Sequence, residues 1–146
     1  MEKHNIKPYE RQVNYYETDQ MGIVHHTNYL RYFEEARMDL MRQMGCDARD
    51  MEDKGIIIPN VDAYAKYIHL MRFEDRFTVH VKPAAFTGVR MKFEYEVVNG
   101  DGEICCTGFT THCFVDGDMR PLMLKRAYPE IFAKLKEVFA EPAAAE

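Results

Sequence analysis

Residues 15–37 read YYETDQMGIVHHTNYLRYFEEAR, and this stretch decides how the rest of the chain is read. An acidic loop with a glycine comes first, then a pair of histidines, then an aromatic-rich amphipathic helix. Gly22 suits a tight turn or a positive φ, and Thr27 or Asn28 is placed to cap the helix. From there Leu30, Phe33, Arg37, Leu40, Met41 and Met44 recur at three- and four-residue steps, with Tyr29, Tyr32 and Ala36 widening the apolar arc. Gly45 stands where a C′ glycine stops a helix. The spacing predicts one helix of about 17 residues, buried on more than one side. Its N-terminus leaves backbone N–H groups that can hold developing negative charge, and Asp19 and His26 lie beside it. A carboxylate next to such donors is the equipment of acyl transfer or hydrolysis. By spacing alone, Asp19 reads at least as readily as a turn or cap residue.

Outward from this helix the pattern changes to strands. Arg11 to Tyr16 is the strand expected before the acidic loop, and Asp47 to Lys54 is a polar connection after the helix. Gly55 to Asn60 is a short strand or its lead-in, and Val61 to Leu70 is a mixed aromatic and aliphatic run. Arg76 to Lys82 alternates, with Phe77, Val79 and Val81 on one side. Val89 to Val98 alternates more cleanly, setting Met91, Phe93, Tyr95 and Val97 against Arg90, Lys92, Glu94 and Glu96. Asn99-Gly100-Asp101-Gly102 signals a hairpin, and Glu103 to Val115 returns as a long strand. Pro129 sits at a plausible first helical position before a terminal amphipathic helix carrying Ile131, Phe132, Leu135, Val138 and Phe139. The tail from about residue 140 to 146, ending EPAAAE, is expected to be flexible. Neither a repeat nor a linker interrupts residues 1–146, so a single α+β domain is expected, one long helix packed on an antiparallel sheet.

Composition narrows the function. An apolar share of 47% is ordinary for a globular domain. A net charge of −5, from 19 basic and 24 acidic residues, argues against non-specific nucleic-acid binding. It leaves room for a local basic cluster that holds a small anionic ligand. No apolar run is long enough to span a membrane. The beginning MEKHNIKPYERQ has no apolar signal-peptide core, so a cytoplasmic location is expected. The four cysteines, Cys46, Cys105, Cys106 and Cys113, fit a reducing compartment. On a strand, adjacent Cys105 and Cys106 would point to opposite faces and not pair with each other.

The run D-x-x-G-I-V from Asp19, a short polar gap, Asn28-Tyr29, and FEEAR on the helix resemble the 4-hydroxybenzoyl-CoA thioesterase family of hotdog-fold acyl-CoA hydrolases. The resemblance is closest to the bacterial acyl-CoA thioesterases that include the Tol–Pal-associated member. The matching segment spans about 25 residues and is specific, and the weaker strand pattern follows along nearly the whole chain. The resemblance implies a hotdog fold, a long central helix wrapped by the sheet with a short C-terminal helix. It also implies homo-oligomers, dimers or dimers of dimers, with active sites at subunit interfaces. Asp19 matches the family's catalytic aspartate, and His26 the position whose backbone N–H polarises the thioester carbonyl. Gly22, Ile23, Asn28 and Tyr29 match positions that shape the substrate site, and His25 falls where relatives carry an aromatic. No cofactor is implied, since CoA is part of the acyl-CoA substrate.

Other readings are weaker. His25 and His26 are adjacent, do not easily face one metal, and have no evident third ligand, so no metal site is expected. Glu34 and Glu35 suit pairing or solvation better than catalysis. His69, His80 and His112, on expected strands, read as satisfied side chains, and Met38, Met41 and Met44 as core. Lys66, Arg72, Arg76, Lys82, Arg90 and Lys92 are candidates for the CoA phosphates, with nothing to rank them. The rival functions are a hotdog hydratase or dehydratase on acyl thioesters and a non-catalytic acyl-CoA-binding protein. Acyl specificity is not legible from one chain.

Overall fold

The computed structural model describes residues 5–140. Five antiparallel strands form one sheet in the order β1-β3-β4-β5-β2: β1 is Tyr9–Gln12, β2 Asn60–Tyr67, β3 Arg76–Phe86, β4 Arg90–Asn99 and β5 Ile104–Cys113. The long helix α1, Asn28–Gln43, lies on one face of this sheet. The shorter helices are α2 (Ala48–Asp53), α3 (Leu124–Ala127) and α4 (Pro129–Ala140).

The helix seats itself through one wide apolar face. Tyr29, Tyr32, Phe33, Ala36, Leu40 and Met41 are buried against Phe77, Val79, Phe93, Tyr95 and Val97 of β3 and β4. Leu30, expected within that arc, is 41% exposed. Phe33 stacks flat on Tyr95, with centroids 4.3 Å apart and planes 7° from parallel. That close seat depends on Gly108, where a Cβ would collide with the Tyr64 carbonyl and stand 2.6 Å from the Phe33 ring. Gly45, at φ +78, turns the chain out of α1, and the Lys134 ammonium of α4 donates to its carbonyl at 3.3 Å. Helix α4 buries Ile131, Leu135 and Val138 and sets Phe139 against Phe86 and Phe93.

Four expectations need correction. The strand expected over Arg11 to Tyr16 is β1, which ends at Gln12, and Tyr15–Glu17 is a 3-10 turn. Tyr15 and Tyr16 mimic strand residues but are 76% and 79% exposed, whereas Glu17 is buried and its carboxylate accepts from the Asn14 N–H at 2.8 Å, closing the turn. Asp47 to Lys54 is no plain connection: Asp47 caps α2 by accepting from the Arg49 N–H. Cys105 and Cys106 are both fully buried, because a β-bulge skips Cys105 between the pairs Val97–Cys106 and Val98–Ile104. His69 lies beyond the end of β2 and is not a strand residue. Helix α4 runs through Ala140, and the tail expected to be flexible from about that point, residues 141–146, lies outside the described residues.

Strand β2 occupies an edge and is exposed along nearly its whole length. Val61, Tyr64 and Tyr67, with Ile68 and Leu70 just beyond, are 43–54% exposed. An apolar edge of this kind offers its unpaired backbone groups to another strand.

Candidate active site

A small hairpin builds the acidic loop. Thr18 bridges Val24, the Asp19 N–H donates to the Ile23 carbonyl at 2.9 Å, and the Gly22 N–H donates to the Asp19 carbonyl at 2.9 Å. The turn closes through Gly22 at φ +78, a conformation in which a residue with a Cβ is strained. The hairpin thereby lays Asp19 across from Ile23, just upstream of the histidines. Asp19 is half-buried and in no ion pair; one carboxylate oxygen accepts from the Met21 N–H at 2.8 Å, and the other has no partner among the described residues.

The start of α1 follows directly. The His25 N–H donates to the Glu17 carbonyl at 2.8 Å, the Thr27 N–H to His25 Nδ1 at 3.2 Å and the Asn28 N–H to the His25 carbonyl at 2.9 Å. The Tyr29 N–H reaches the His26 carbonyl at 3.4 Å. The His26 N–H alone in this run finds no acceptor among the described residues. His25 accepts at Nδ1, so its imidazole does the capping expected of Thr27 or Asn28, whose side chains make no cap bond. The Asn28 amide instead donates back to the Glu17 carbonyl at 2.7 Å. The His25 and His26 rings stack at 4.3 Å.

Residues that the sequence did not single out hold this arrangement. Glu17 is 4% exposed, and Arg11 binds it at 2.5 Å while also binding Glu35 at 2.7 Å and lying over the Tyr32 ring at 4.9 Å. Glu35 is therefore a pairing residue. It also accepts from the Tyr9 hydroxyl, whose pKa is pushed up to about 12 by burial and then by that carboxylate. Tyr67 comes from the end of β2 to donate to the His26 carbonyl at 3.3 Å and to pack on Tyr29 at 5.4 Å. Of the six basic candidates, Arg72 stands at the loop: it bridges Ile23, and its guanidinium lies against Gly22. Lys82 is 4.0 Å from Glu94, and Lys92 lies over the Phe109 ring on the sheet. No sequence signal marked Tyr67, and Glu17 was hidden as one acid in a loop.

A cavity of about 850 Å³ lies elsewhere, under the segment Ile6–Tyr9 and against Leu40, Val81 and Tyr95. In the single chain Asp19 is half-buried, two residues before exposed Met21.

Residues 13–142 match the family described as the thioesterase-like superfamily. The chain belongs to the thioesterase-like superfamily. YneP of Bacillus subtilis (strain 168), which carries a provisional acyl-CoA thioesterase name, is 32% identical over 127 residues, covering 86% of this chain and 92% of that protein. The 1,4-dihydroxy-2-naphthoyl-CoA hydrolase of Thermosynechococcus vestitus is 29% identical over 108 residues, 73% of this chain and 74% of that one. The solved DHNA-CoA thioesterase of Staphylococcus aureus superposes with a TM-score of 0.87 at 31% identity, covering 91% and 90% of the two chains. The fold is thus the hotdog arrangement of this thioesterase-like superfamily, the expected α+β architecture. None of the described helices is long and apolar enough to cross a membrane.

Proposed function

We propose that the chain hydrolyses the thioester bond of an acyl-CoA, releasing the free acid and CoA. The observations that carry this reading are the His26 N–H at the start of α1 and the second carboxylate oxygen of Asp19 in the preceding hairpin, each without a partner among the described residues. The family match and the thioester hydrolases among the relatives support the same chemistry.

A thioester carbonyl is already activated toward attack, because sulfur donates poorly into it and thiolate leaves well. The protein needs a nucleophile, or a base that activates water, and a donor for the oxyanion. Asp19 serves as the first, either adding to the carbonyl carbon or taking a proton from the attacking water. The His26 N–H, at the positive end of the helix, donates to the carbonyl oxygen as it gains charge. Gly22 and Ile23 set the turn that presents Asp19. His25 caps the helix, Asn28 ties it to the loop, and Tyr29 with Tyr67 forms the aromatic wall beside His26. The CoA portion is substrate, not cofactor, and Arg72 is the basic residue nearest the turn for its phosphates.

The active form is a homo-oligomer, a dimer or a dimer of dimers, in which β2 pairs with β2 of a second copy and closes the open side of the site. The compartment is the cytoplasm. The deciding measurement is thiol release from acyl-CoAs of varied length and aromaticity. Asp19→Asn should lower turnover by about 10²–10⁴-fold while the fold is retained. Near-wild-type turnover by that variant would remove the assignment.

A further inference from the structure

A chain of buried polar groups runs through the core, away from Asp19. Arg37 of α1 donates to the Tyr95 hydroxyl at 3.1 Å, Tyr95 meets Thr110 Oγ1 at 2.6 Å, and Thr110 meets His112 Nε2 at 2.8 Å. Arg37 is 8% exposed and His112 1%. One direction of these bonds gives every hydroxyl proton in the chain a partner. A guanidinium only donates, so the Tyr95 oxygen accepts and its O–H must go to Thr110. The Thr110 O–H then has His112 Nε2 as its remaining partner, which leaves the proton of the neutral ring on Nδ1. Both ends of the chain therefore finish in donors: the remaining N–H groups of Arg37 and the Nδ1–H of His112. Neither end has a further acceptor among the described residues, and neither is sealed from solvent, since the buried side-chain nitrogen or oxygen left without a partner there is the Tyr32 hydroxyl.

Arg37 is also a buried cation without a counter-ion. The ion pairs among the described residues are those of Arg11, Arg42, His69 and Lys82, and none includes Arg37. Burying one charge without compensation is strongly unfavourable. Arg37 and His112 line one cavity of about 60 Å³, whose other walls are mainly Met38, Met41, Met51 and Met91. A single water needs about 10–15 Å³ by the same measure, so the space takes an ion with a water or two. A water alone would satisfy donors but leave the charge. Glu52 stands at the rim, exposed to solvent and outside ion-pair distance of Arg37.

We propose that the cavity between Arg37 and His112 is an internal binding site for a small monovalent anion, of halide or formate size, that accepts from both ends of the buried chain. The site is separate from the thioesterase reading and stands or falls without it.

The experiment follows unfolding of the purified protein while bromide or formate replaces sulfate at constant ionic strength, alongside anomalous diffraction from crystals soaked in bromide. At an anion level ten times its Kd, the unfolding equilibrium constant should fall about tenfold, and go on falling in proportion to the anion above that. The response should persist in Glu52→Gln and vanish in Arg37→Met. A bromide peak should lie between the Arg37 guanidinium and the His112 ring. Response to formate but not bromide assigns the site to carboxylates, and the reverse to halides. Should Arg37→Met not fold, density for bromide or formate between the Arg37 guanidinium and the His112 ring in soaked wild-type crystals decides alone. The proposal is overturned if water or the Glu52 carboxylate fills the cavity in those crystals, or if Arg37→Met responds as the wild type does.

Discussion

The side-chain amide of Asn28, at the first turn of α1, donates to the backbone carbonyl of Glu17 at 2.7 Å, and both residues are buried. This bond and the one from the His25 N–H share that carbonyl, so the helix start is tied to the loop that carries Asp19. Asn28→Ala leaves a buried acceptor half-satisfied and should cost about 1–3 kcal/mol in chemical denaturation. Asn28→Asp sets a carboxylate oxygen against the carbonyl and should cost more. Both variants should lose more in kcat than in KM, since what they loosen is the relation of base to oxyanion donor.

Arg11 is the counter-ion of buried Glu17. Arg11→Met should destabilise by about 3–5 kcal/mol, because it strands a carboxylate that water cannot reach. Replacing both, as Arg11→Met with Glu17→Leu, should recover a good part of that loss. Denaturant midpoints of the three variants check this, and a double variant no better than Arg11→Met alone would show that Glu35 is the partner that matters.

The role given to His26 lies in its backbone. His26→Ala keeps the N–H and should stay within a few-fold of wild-type thiol release. His26→Pro removes the N–H and should lose about 10²–10³-fold in kcat, as for one oxyanion donor. Equal losses in the two variants would move the role to the imidazole.

His112 carries a pH dependence. Burial, and then the Arg37 charge, push its pKa down from 6.5 to about 4. Between those values an unfolded chain binds the proton and the folded one does not, so stability should fall as pH drops from 6.5 toward 4 and level off below. The full effect is roughly 3 kcal/mol. Unfolding free energies across that window should slope for the wild type and run flatter for His112→Gln.

The exposed edge of β2 predicts association. Val61→Lys combined with Ile68→Lys places charge along it and should shift sedimentation toward the single chain, with thiol release falling in parallel. Unchanged sedimentation would place the contact on another surface.

The helix was legible because its apolar positions repeat at helical steps for four turns. The β4–β5 hairpin was legible because Asn99 and Gly102 are the residues its turn requires: the Asn99 side chain accepts from the Asp101 and Glu103 N–H groups, and Gly102 stands at φ +82. Helix α2 was not, since six residues with Met51 as the only buried one show no period. The 3-10 turn was missed because Tyr15 and Tyr16 look like strand residues, while the turn is closed by the buried Glu17 carboxylate, which accepts from the Asn14 N–H and pairs with Arg11. Asp19 and His26 could be proposed from local order along the chain. Tyr67 meeting His26, and Arg37 meeting Tyr95, join residues far apart in sequence, and no local pattern announces them.

Gly108 has one consequence for how this protein can vary. The hydrogen that stands in for a side chain there faces the aromatic ring under α1 on one side and the backbone of β2 on the other. A single added methyl would push against both neighbours at once. The inner seat of the helix and the outer rim of the sheet thus share a common clearance, and mutational drift in one is constrained by the tolerance of the other.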